Sequence, residues 1–228
     1  MNSSYLFANR IDAAEQLATA LAAYKGRHPQ ILAIPCGALP LGKVLAAQLD
    51  GQLDIVLAHK LSAPFDDEYA IGGIDESGWS YLTPVAQESG ISADYITGEK
   101  NRRLSALRRR RAEIEPYRAP VDPHGRVVIV VDDGIATGAT MVAALHAIRA
   151  REPAELVCAV PVGAPDSLAE LAPLVDRLVC IAAPPNFRGV GQFYRDFPQV
   201  DDLEAMQILA VANGTRNADG ADGAIDQR

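Results

Sequence analysis

The stretch Val127-Val128-Ile129-Val130-Val131-Asp132-Asp133-Gly134-Ile135-Ala136-Thr137-Gly138-Ala139-Thr140 decides the fold class of this chain. Its first five residues are apolar and β-branched, which is typical of a strand buried in a parallel sheet. The last residues begin a helical pattern that continues to residue 150. A strand, a turn and a helix therefore follow one another directly, and the turn is rich in aspartate, glycine and threonine.

The composition of this turn fits a phosphorylated sugar. The first N–H groups of a helix have no intrahelical partner and lie at the positive end of its dipole, so they bind anions. Gly134 and Gly138 let the backbone approach an anion closely, and Thr137 adds a hydroxyl donor. The two carboxylates would repel a phosphate, so their partners are sugar hydroxyls or a metal ion. A pair of aspartates that only ends a strand and caps a helix is the alternative, but it does not require Thr-Gly-x-Thr after it.

Strands and helices alternate along the rest of the chain. The predicted strands cover residues 31–34, 53–58, 126–131, 156–160 and 178–181, and the predicted helices cover residues 9–24, 40–48, 93–115, 138–150, 165–171 and 201–212. This alternation predicts an α/β fold with a doubly wound, mostly parallel sheet and ligands at the carboxyl ends of its strands.

Two segments depart from this alternation. Residues 61–90 are rich in glycine, proline and polar side chains, which predicts a long flexible loop inserted in the domain, with at most a short hairpin. Residues 213–228 contain few large apolar side chains, which predicts a disordered tail. We therefore predict a single domain over residues 1–212.

Composition and charge exclude several classes of partner. The chain of 228 residues is 49% hydrophobic and 22% charged, as ordinary globular proteins are, and its net charge of −8 argues against nucleic-acid binding. No apolar run approaches the roughly 20 residues that span a bilayer, so we expect no membrane partner. The three cysteines fit neither a disulfide framework nor a zinc site, and the first residues lack the pattern of a signal peptide. We therefore expect a cytoplasmic protein.

Residues 128–140 resemble the signature with which type I phosphoribosyltransferases bind 5-phosphoribosyl pyrophosphate (PRPP). Residues 34–40, 59–73 and 191–197 resemble corresponding segments in a poorly characterised branch of that family, in the same order and with similar spacing. The resemblance covers roughly residues 7–210. It implies the type I phosphoribosyltransferase fold, PRPP as substrate, a Mg²⁺ ion held mainly by PRPP, a homodimer and a role in nucleotide metabolism.

The resemblance also implies where each part of PRPP binds. Asp132 and Asp133 bind the ribose 2- and 3-hydroxyls, and both are candidate Mg²⁺ ligands. Together with Lys60 they form the predicted catalytic set. The 5-phosphate is wrapped by Ala136, Thr137, Gly138, Ala139 and Thr140, and Gly134 belongs to the same PRPP-binding loop.

The pyrophosphate of PRPP is assigned to two other places. Lys60 ends the second predicted strand on the same sheet edge as the aspartates, where a positive charge suits pyrophosphate. Cys36 and Gly37 lie in the turn after the first strand, which contacts pyrophosphate through backbone amides. Related sequences carry Arg-Gly-Gly where this chain has Cys36-Gly37-Ala38, so a strong phosphate donor is missing. Glu68 is the acidic residue of the inserted loop with a candidate role, and a solvated carboxylate is an equally good interpretation.

Three functions remain open from the sequence. The first is Mg²⁺-dependent transfer of the phosphoribosyl group to an unidentified acceptor, with release of pyrophosphate. The second is a regulatory protein that senses PRPP or a nucleotide without turnover, and the third is hydrolysis. Ala136 stands where purine-type members carry an acidic residue, and alanine cannot transfer a proton. A hypoxanthine- or guanine-type mechanism is therefore disfavoured, whereas a pyrimidine, adenine or non-base acceptor stays open.

Two further groups of side chains have a structural interpretation. The arginines of residues 102–111 fit a solvated helix face that pairs with neighbouring glutamates, although one arginine could reach the ligand. The aromatics Phe193, Tyr194 and Phe197 follow the last predicted strand, where the acceptor often binds in this fold. We expect two of the three to pack against the core instead.

Overall fold

The computed structural model describes residues 5–116 and 119–214. The side chains of Glu68, Val85 and residues 213 and 214 are not included in this description. The helices are α1 (Arg10–Ala20), α2 (Leu39–Gln48), α3 (Pro84–Glu88), α4 (Ala93–Ile114), α5 (Ala139–Arg149), α6 (Pro165–Leu171) and α7 (Asp202–Gly214). The strands are β1 (Gln30–Ala33), β2 (Gln52–Ile55), β3 (Ala58–Ala63), β4 (Asp66–Asp75), β5 (Ser80–Leu82), β6 (Val127–Val131), β7 (Glu155–Val162) and β8 (Arg177–Ala182).

The main sheet has five parallel strands in the order β2-β1-β6-β7-β8. The strand order reverses between β1 and β6, so the loops after these two strands diverge and leave a crevice at the carboxyl edge. Both the turn that starts at Pro35 and the turn that starts at Asp132 lie at this edge. The predicted α/β fold with a mostly parallel sheet is confirmed.

Apolar side chains cover both faces of the main sheet. On one face, α1 and α2 pack against it, and Leu17 and Ile129 lie fully buried in that cluster. On the other face, α5 packs against it, and Leu145 and Val130 lie in a second buried cluster. Because β6 is buried on both faces, its sequence is a continuous apolar run, as the first stretch of sequence indicated.

The prediction of a long loop over residues 61–90 is wrong in its secondary structure. These residues contribute to a three-stranded antiparallel sheet in the order β3-β4-β5, followed by the short helix α3. The predicted strand over residues 53–58 is in fact split, since β2 ends at Ile55 and β3 begins at Ala58. Lys60 therefore belongs to the small sheet and does not end a strand of the main one.

Two glycines explain why the sequence pattern suggested a loop. A Cβ atom on Gly72 would lie 2.0 Å from the carbonyl oxygen of Tyr81, and one on Gly73 would lie 2.4 Å from that of Ala139. Glycine in a strand commonly marks such a close approach of two backbones. The Gly-Gly pair therefore lets β4 pack against β5 and against the first turn of α5.

We expect Gly73→Ala to lower the free energy of unfolding by about 1–3 kcal/mol, because backbone must move to admit the methyl group. Gly98→Ala is the matched control, since a Cβ atom at this position in α4 would meet nothing within 4 Å. The control is expected to stabilise the protein by up to about 1 kcal/mol through helix propensity. Urea denaturation measures both changes, and equal effects of the two substitutions would contradict the packing argument.

The remaining boundaries agree with the predictions to within a few residues. Helix α7 continues to Gly214, two residues beyond the predicted end, and the predicted disordered tail otherwise lies outside the described residues. All three cysteines are free thiols. Within the described part of the chain, no helix combines the length and apolar character needed to span a bilayer.

Candidate active site

The loop between β6 and α5 is held from two sides. The N–H of Ile135 donates to the carbonyl oxygen of Val162 at 2.9 Å, at the end of β7. The hydroxyl of Ser167 in α6 donates to the carbonyl oxygen of Ala136 at 2.6 Å. Gly138 caps α5 with a φ of +74°, a left-handed conformation that favours glycine. The loop is thus fixed just before α5, whose first N–H groups have no intrahelical partner.

A cavity of about 180 Å³ lies over this loop. Its lining contains most of the residues that the sequence predicted for the sugar and its phosphate. These lining residues include Lys60, Asp132, Gly134, Ala136, Thr137, Gly138, Ala139 and Thr140. Three segments far apart in the sequence therefore meet around one space, namely β3, the loop from Asp132 into α5, and Val190. We call it the front cavity.

The two aspartates of the loop have different surroundings. Asp132 lines the front cavity, and its Oδ1 accepts a hydrogen bond from the N–H of Asp133 at 2.8 Å. The Asp133 carboxylate instead forms an ion pair with Arg10, whose Nε and Nη2 both donate to Oδ2, at 3.0 and 2.9 Å. Only Asp132 is thus placed directly at the front cavity, while one oxygen of Asp133 is already occupied.

Aromatic side chains hold Arg10 and the backbone of Asp133 in place. The guanidinium of Arg10 lies 3.8 Å from the ring centroid of Phe197 and donates to the carbonyl oxygen of Pro198. The Tyr194 hydroxyl donates to the carbonyl oxygen of Asp133 at 2.6 Å, and its ring contacts that of Phe7. The N-terminal segment and the segment after β8 thus pack together beside the loop.

These contacts settle the packing role of the aromatics and identify a residue that the sequence did not. Tyr194 is buried, and Phe193 and Phe197 pack in the same small cluster. The sequence predicted such packing for two of these three aromatics, and the structure shows it for all three. Arg10 is 123 residues from its partner, at the start of an ordinary amphipathic helix. No local pattern marks it, because its role depends on where the ends of the domain meet.

Burial and mutual repulsion act on the acid groups of the site. Burial raises the pKa of Asp132 well above its usual range, and the nearby Asp133 carboxylate raises it further. Burial also raises the pKa of Asp133, but the Arg10 guanidinium opposes that change. Negative charge on this pair is therefore costly, because the carboxylates have lost part of their hydration. A ligand that donates hydroxyl hydrogen bonds, or a cation, would lower this cost.

The predicted pyrophosphate turn lies beside the front cavity but does not line it. Gly37 faces the aspartates, since a Cβ atom there would lie 2.4 Å from Asp133 Oδ2. Cys36 lies in a second, neighbouring space, where Nη2 of Arg110 approaches its Sγ at 3.3 Å and the Asp202 carboxylate at 2.7 Å. One arginine of the basic helix thus reaches the turn that lacks its own arginine.

The other arginines of α4 are mostly paired, as predicted, although one partner is buried. Glu99 is only 3% exposed and pairs with Arg102 and Arg103, so it anchors α4 to β3 and is not a solvated surface group. Arg111 pairs with Glu76, outside its own helix. The side chain of Glu68, the candidate of the inserted segment, lies outside what the structure describes.

The donor set limits how a metal ion could be held. Among residues 5–116 and 119–214, no group of three or more acidic, histidine or cysteine side chains has a metal-binding arrangement. The carboxylates at the loop are the pair of Asp132 and Asp133. Mg²⁺ commonly binds through one or two carboxylates together with substrate phosphates and water. The pair is compatible with an ion held mainly by a pyrophosphate substrate.

Comparison with known proteins identifies the family. Residues 5–198 match the family model of the phosphoribosyl transferase domain. Two Mycobacterium tuberculosis proteins, provisionally named phosphoribosyl transferases, are each 37% identical over 209 residues, which is 91% of this chain and 47% of theirs. The chain thus spans about half the length of these relatives. The crystal structure of TT1426 from Thermus thermophilus is similar with a TM-score of 0.76, 35% identity and coverage of 90% of this chain and 98% of that one. By sequence and by fold, the chain belongs to the phosphoribosyl transferase domain family.

Proposed function

We propose that the protein is a Mg²⁺-dependent phosphoribosyltransferase, which binds PRPP in the front cavity and transfers its phosphoribosyl group to an acceptor with release of pyrophosphate. The observation that carries this proposal is the meeting of Lys60, Asp132 and the N-terminus of α5 around one cavity. Anion donors and hydroxyl acceptors line the same cavity, as a ribose 5-phosphate requires. The family supports transferase chemistry.

Each part of PRPP has a candidate partner. The first N–H groups of α5 and the hydroxyls of Thr137 and Thr140 bind the 5-phosphate. Asp132 accepts from one ribose hydroxyl, and Asp133 accepts from the other through Oδ1, since both bonds from Arg10 go to Oδ2. Mg²⁺ would neutralise the pyrophosphate, beside Lys60 and the backbone of Gly37.

Catalysis in this proposal depends on position and charge. Bond cleavage at the anomeric carbon builds negative charge on the leaving pyrophosphate, which Lys60 is placed to stabilise; a Mg²⁺ ion bound with the substrate would supply further charge neutralisation. The nearby aspartates fix the ribose so that the acceptor meets the anomeric carbon in one orientation. Ala136 is exposed at the loop and offers no proton-transfer group, so the acceptor must be nucleophilic without a base at this position.

The test is calorimetric titration of PRPP with Mg²⁺ into the purified protein, followed by an assay for pyrophosphate. Saturable binding supports the PRPP site. Pyrophosphate release that requires an added acceptor indicates transfer, and release without an acceptor indicates hydrolysis. If PRPP binds but no pyrophosphate is released with any of a panel of pyrimidines, adenine and amines, the protein acts as a sensor. The absence of binding would contradict the proposal.

The homodimer and the cytoplasmic location stay predictions, which light scattering and fractionation would test.

Lys60→Ala is expected to weaken PRPP binding by about tenfold or more, because a hydrogen bond to a charged group contributes about 1.5–3 kcal/mol. Ribose 5-phosphate lacks the pyrophosphate, so its binding should change by less than about threefold. Lys43→Ala, at an exposed position of α2, is the control and should bind both ligands like the wild type. Equal loss of both ligands in Lys60→Ala would place Lys60 elsewhere than at the pyrophosphate.

A further inference from the structure

A second cavity, of about 220 Å³, lies on the α5 face of the main sheet, away from the front cavity. We call it the rear cavity. It is enclosed by the start of β1, the end of β2, the turn after β4, the last turns of α4 and α5, and residues 120–123. The front cavity lies at the first turn of α5 and the rear cavity at its last turns. A helix rises 1.5 Å per residue, so the two are on the order of 10–15 Å apart along α5.

Unpartnered polar atoms converge on the rear cavity. Within residues 5–116 and 119–214, three buried side-chain atoms have no hydrogen-bond partner, namely Gln30 Oε1, Arg111 Nη1 and His146 Nδ1. All three residues line the rear cavity. Buried polar groups are almost always paired in folded proteins. Their concentration in one cavity therefore indicates a ligand that supplies the missing partners.

The first two of these atoms define what the ligand must offer. Gln30 is only 1% exposed, and its Nε2 donates to the carbonyl oxygen of Val121 at 3.1 Å, so its Oε1 is the end left to accept. Arg111 uses Nε and Nη2 for Glu76, at 2.7 and 2.8 Å, so Nη1 is the nitrogen left to donate. The ligand therefore needs a hydrogen-bond donor for Gln30 and an acceptor for Arg111.

The charges around the cavity argue against an anion. Two arginines line the cavity, and both are paired already, Arg111 with Glu76 and Arg151 with Asp122. Asp54 and Asp75 also line the cavity and are 2% and 1% exposed, and Asp75 lies 3.6 Å from His146 Nδ1. A negatively charged ligand would be repelled by these two carboxylates in a poorly solvated space. The remaining lining is largely apolar and includes Leu32, Val56 and Ile148.

We propose that the rear cavity binds a small, flat, neutral molecule whose edge carries a hydrogen-bond donor beside an acceptor, which is the chemistry of a lactam, a cyclic imide or a nucleobase. The donor meets Gln30 Oε1 and the acceptor meets Arg111 Nη1, while the flat faces contact the apolar side chains. This site is separate from the front cavity and does not depend on the proposed phosphoribosyl transfer.

The experiment uses uracil as the probe and follows backbone amide resonances of the full chain by NMR. We expect saturable changes at residues 146–151, and none with 1,3-dimethyluracil, whose N–H donors are blocked. Gln30→Met removes the acceptor, and Ala147→Leu fills the cavity from α5 without changing a polar group. Each is expected to weaken uracil binding by about fivefold or more.

Ala20→Leu is the matched control, since it adds the same side chain at an exposed position of α1. It should bind uracil like the wild type, and all three variants should retain the wild-type spectrum elsewhere and bind PRPP as the wild type does. The proposal is overturned if wild type shows no saturable change at residues 146–151. It is equally overturned if the response is confined to residues 134–140, or if Gln30→Met binds uracil with unchanged affinity.

Discussion

Asp132→Asn is expected to bind PRPP about 100-fold more weakly than the wild type and yet to be more resistant to denaturation. The loss of affinity follows because a neutral amide accepts ribose hydroxyls less strongly than a carboxylate does, and bonds to charged groups contribute about 1.5–3 kcal/mol each. Calorimetry with Mg²⁺ and PRPP measures the first effect, and urea denaturation at pH 7 measures the second.

The gain in stability follows from the environment of this carboxyl group. Burial and the Asp133 carboxylate raise the pKa of Asp132, so a negative charge at this position lowers the stability of the folded protein. The asparagine removes that charge, and we expect a gain of about 1 kcal/mol or more, as is common when a functional site is relieved of strain. Removing this partly desolvated charge is thus expected to raise stability and to weaken ligand binding.

The gain in stability of Asp132→Asn should depend on pH. A group whose folded pKa is raised favours folding when protonated, and this contribution is lost as pH rises through the folded pKa. The advantage of Asp132→Asn should therefore decline as pH falls from the raised pKa of Asp132 toward the usual range for an aspartate, and it should vanish where the group is protonated in both the folded and the unfolded wild type. Asp196→Asn, at an exposed aspartate near the site, is the control and should change neither property. A less stable Asp132→Asn at pH 7 would contradict the argument.

Arg10→Met is expected to lower the free energy of unfolding by about 3 kcal/mol, and the melting temperature by about 6–12 °C. The side chains of Arg10 and Asp133 are only 9% and 14% exposed, so the substitution leaves a carboxylate desolvated and without its partner. It also removes a cation stacked on Phe197, where the end of the domain packs. Thermal and urea denaturation measure the change.

Two controls separate this ion pair from charge removal in general. Arg149→Met breaks a pair whose side chains are 42% and 45% exposed, and such surface pairs contribute about 0–1 kcal/mol. The double variant Arg10→Met with Asp133→Asn removes both charges and should recover much of the lost stability. If Arg10→Met and Arg149→Met were equally stable, the contact between Arg10 and Asp133 would have no structural role.

The sequence by itself determined the sheet and most of the loop. A β-branched run buried on both faces and a turn of aspartate, glycine and threonine before a helix are local patterns, so they can be read directly from the sequence. This is why the boundaries of β6 and α5 agree with the structure to within one residue, and why Asp132 and the predicted residues from Gly134 to Thr140 lie together at the front cavity. The alternation of strands and helices fixed the parallel topology in the same way.

Only the tertiary structure decided the rest, because the contacts involved join residues far apart in the chain. The Gly72-Gly73 pair is typical of a loop in sequence but lies in a strand of the structure. Glycine is needed there because a Cβ atom would clash with the backbone of β5 and α5. Arg10 acquires its role from an aspartate 123 residues away, and Arg110 from Cys36, 74 residues away. Packing between distant segments places these side chains, and the secondary-structure propensity of either segment does not. No local sequence pattern could therefore predict their contacts.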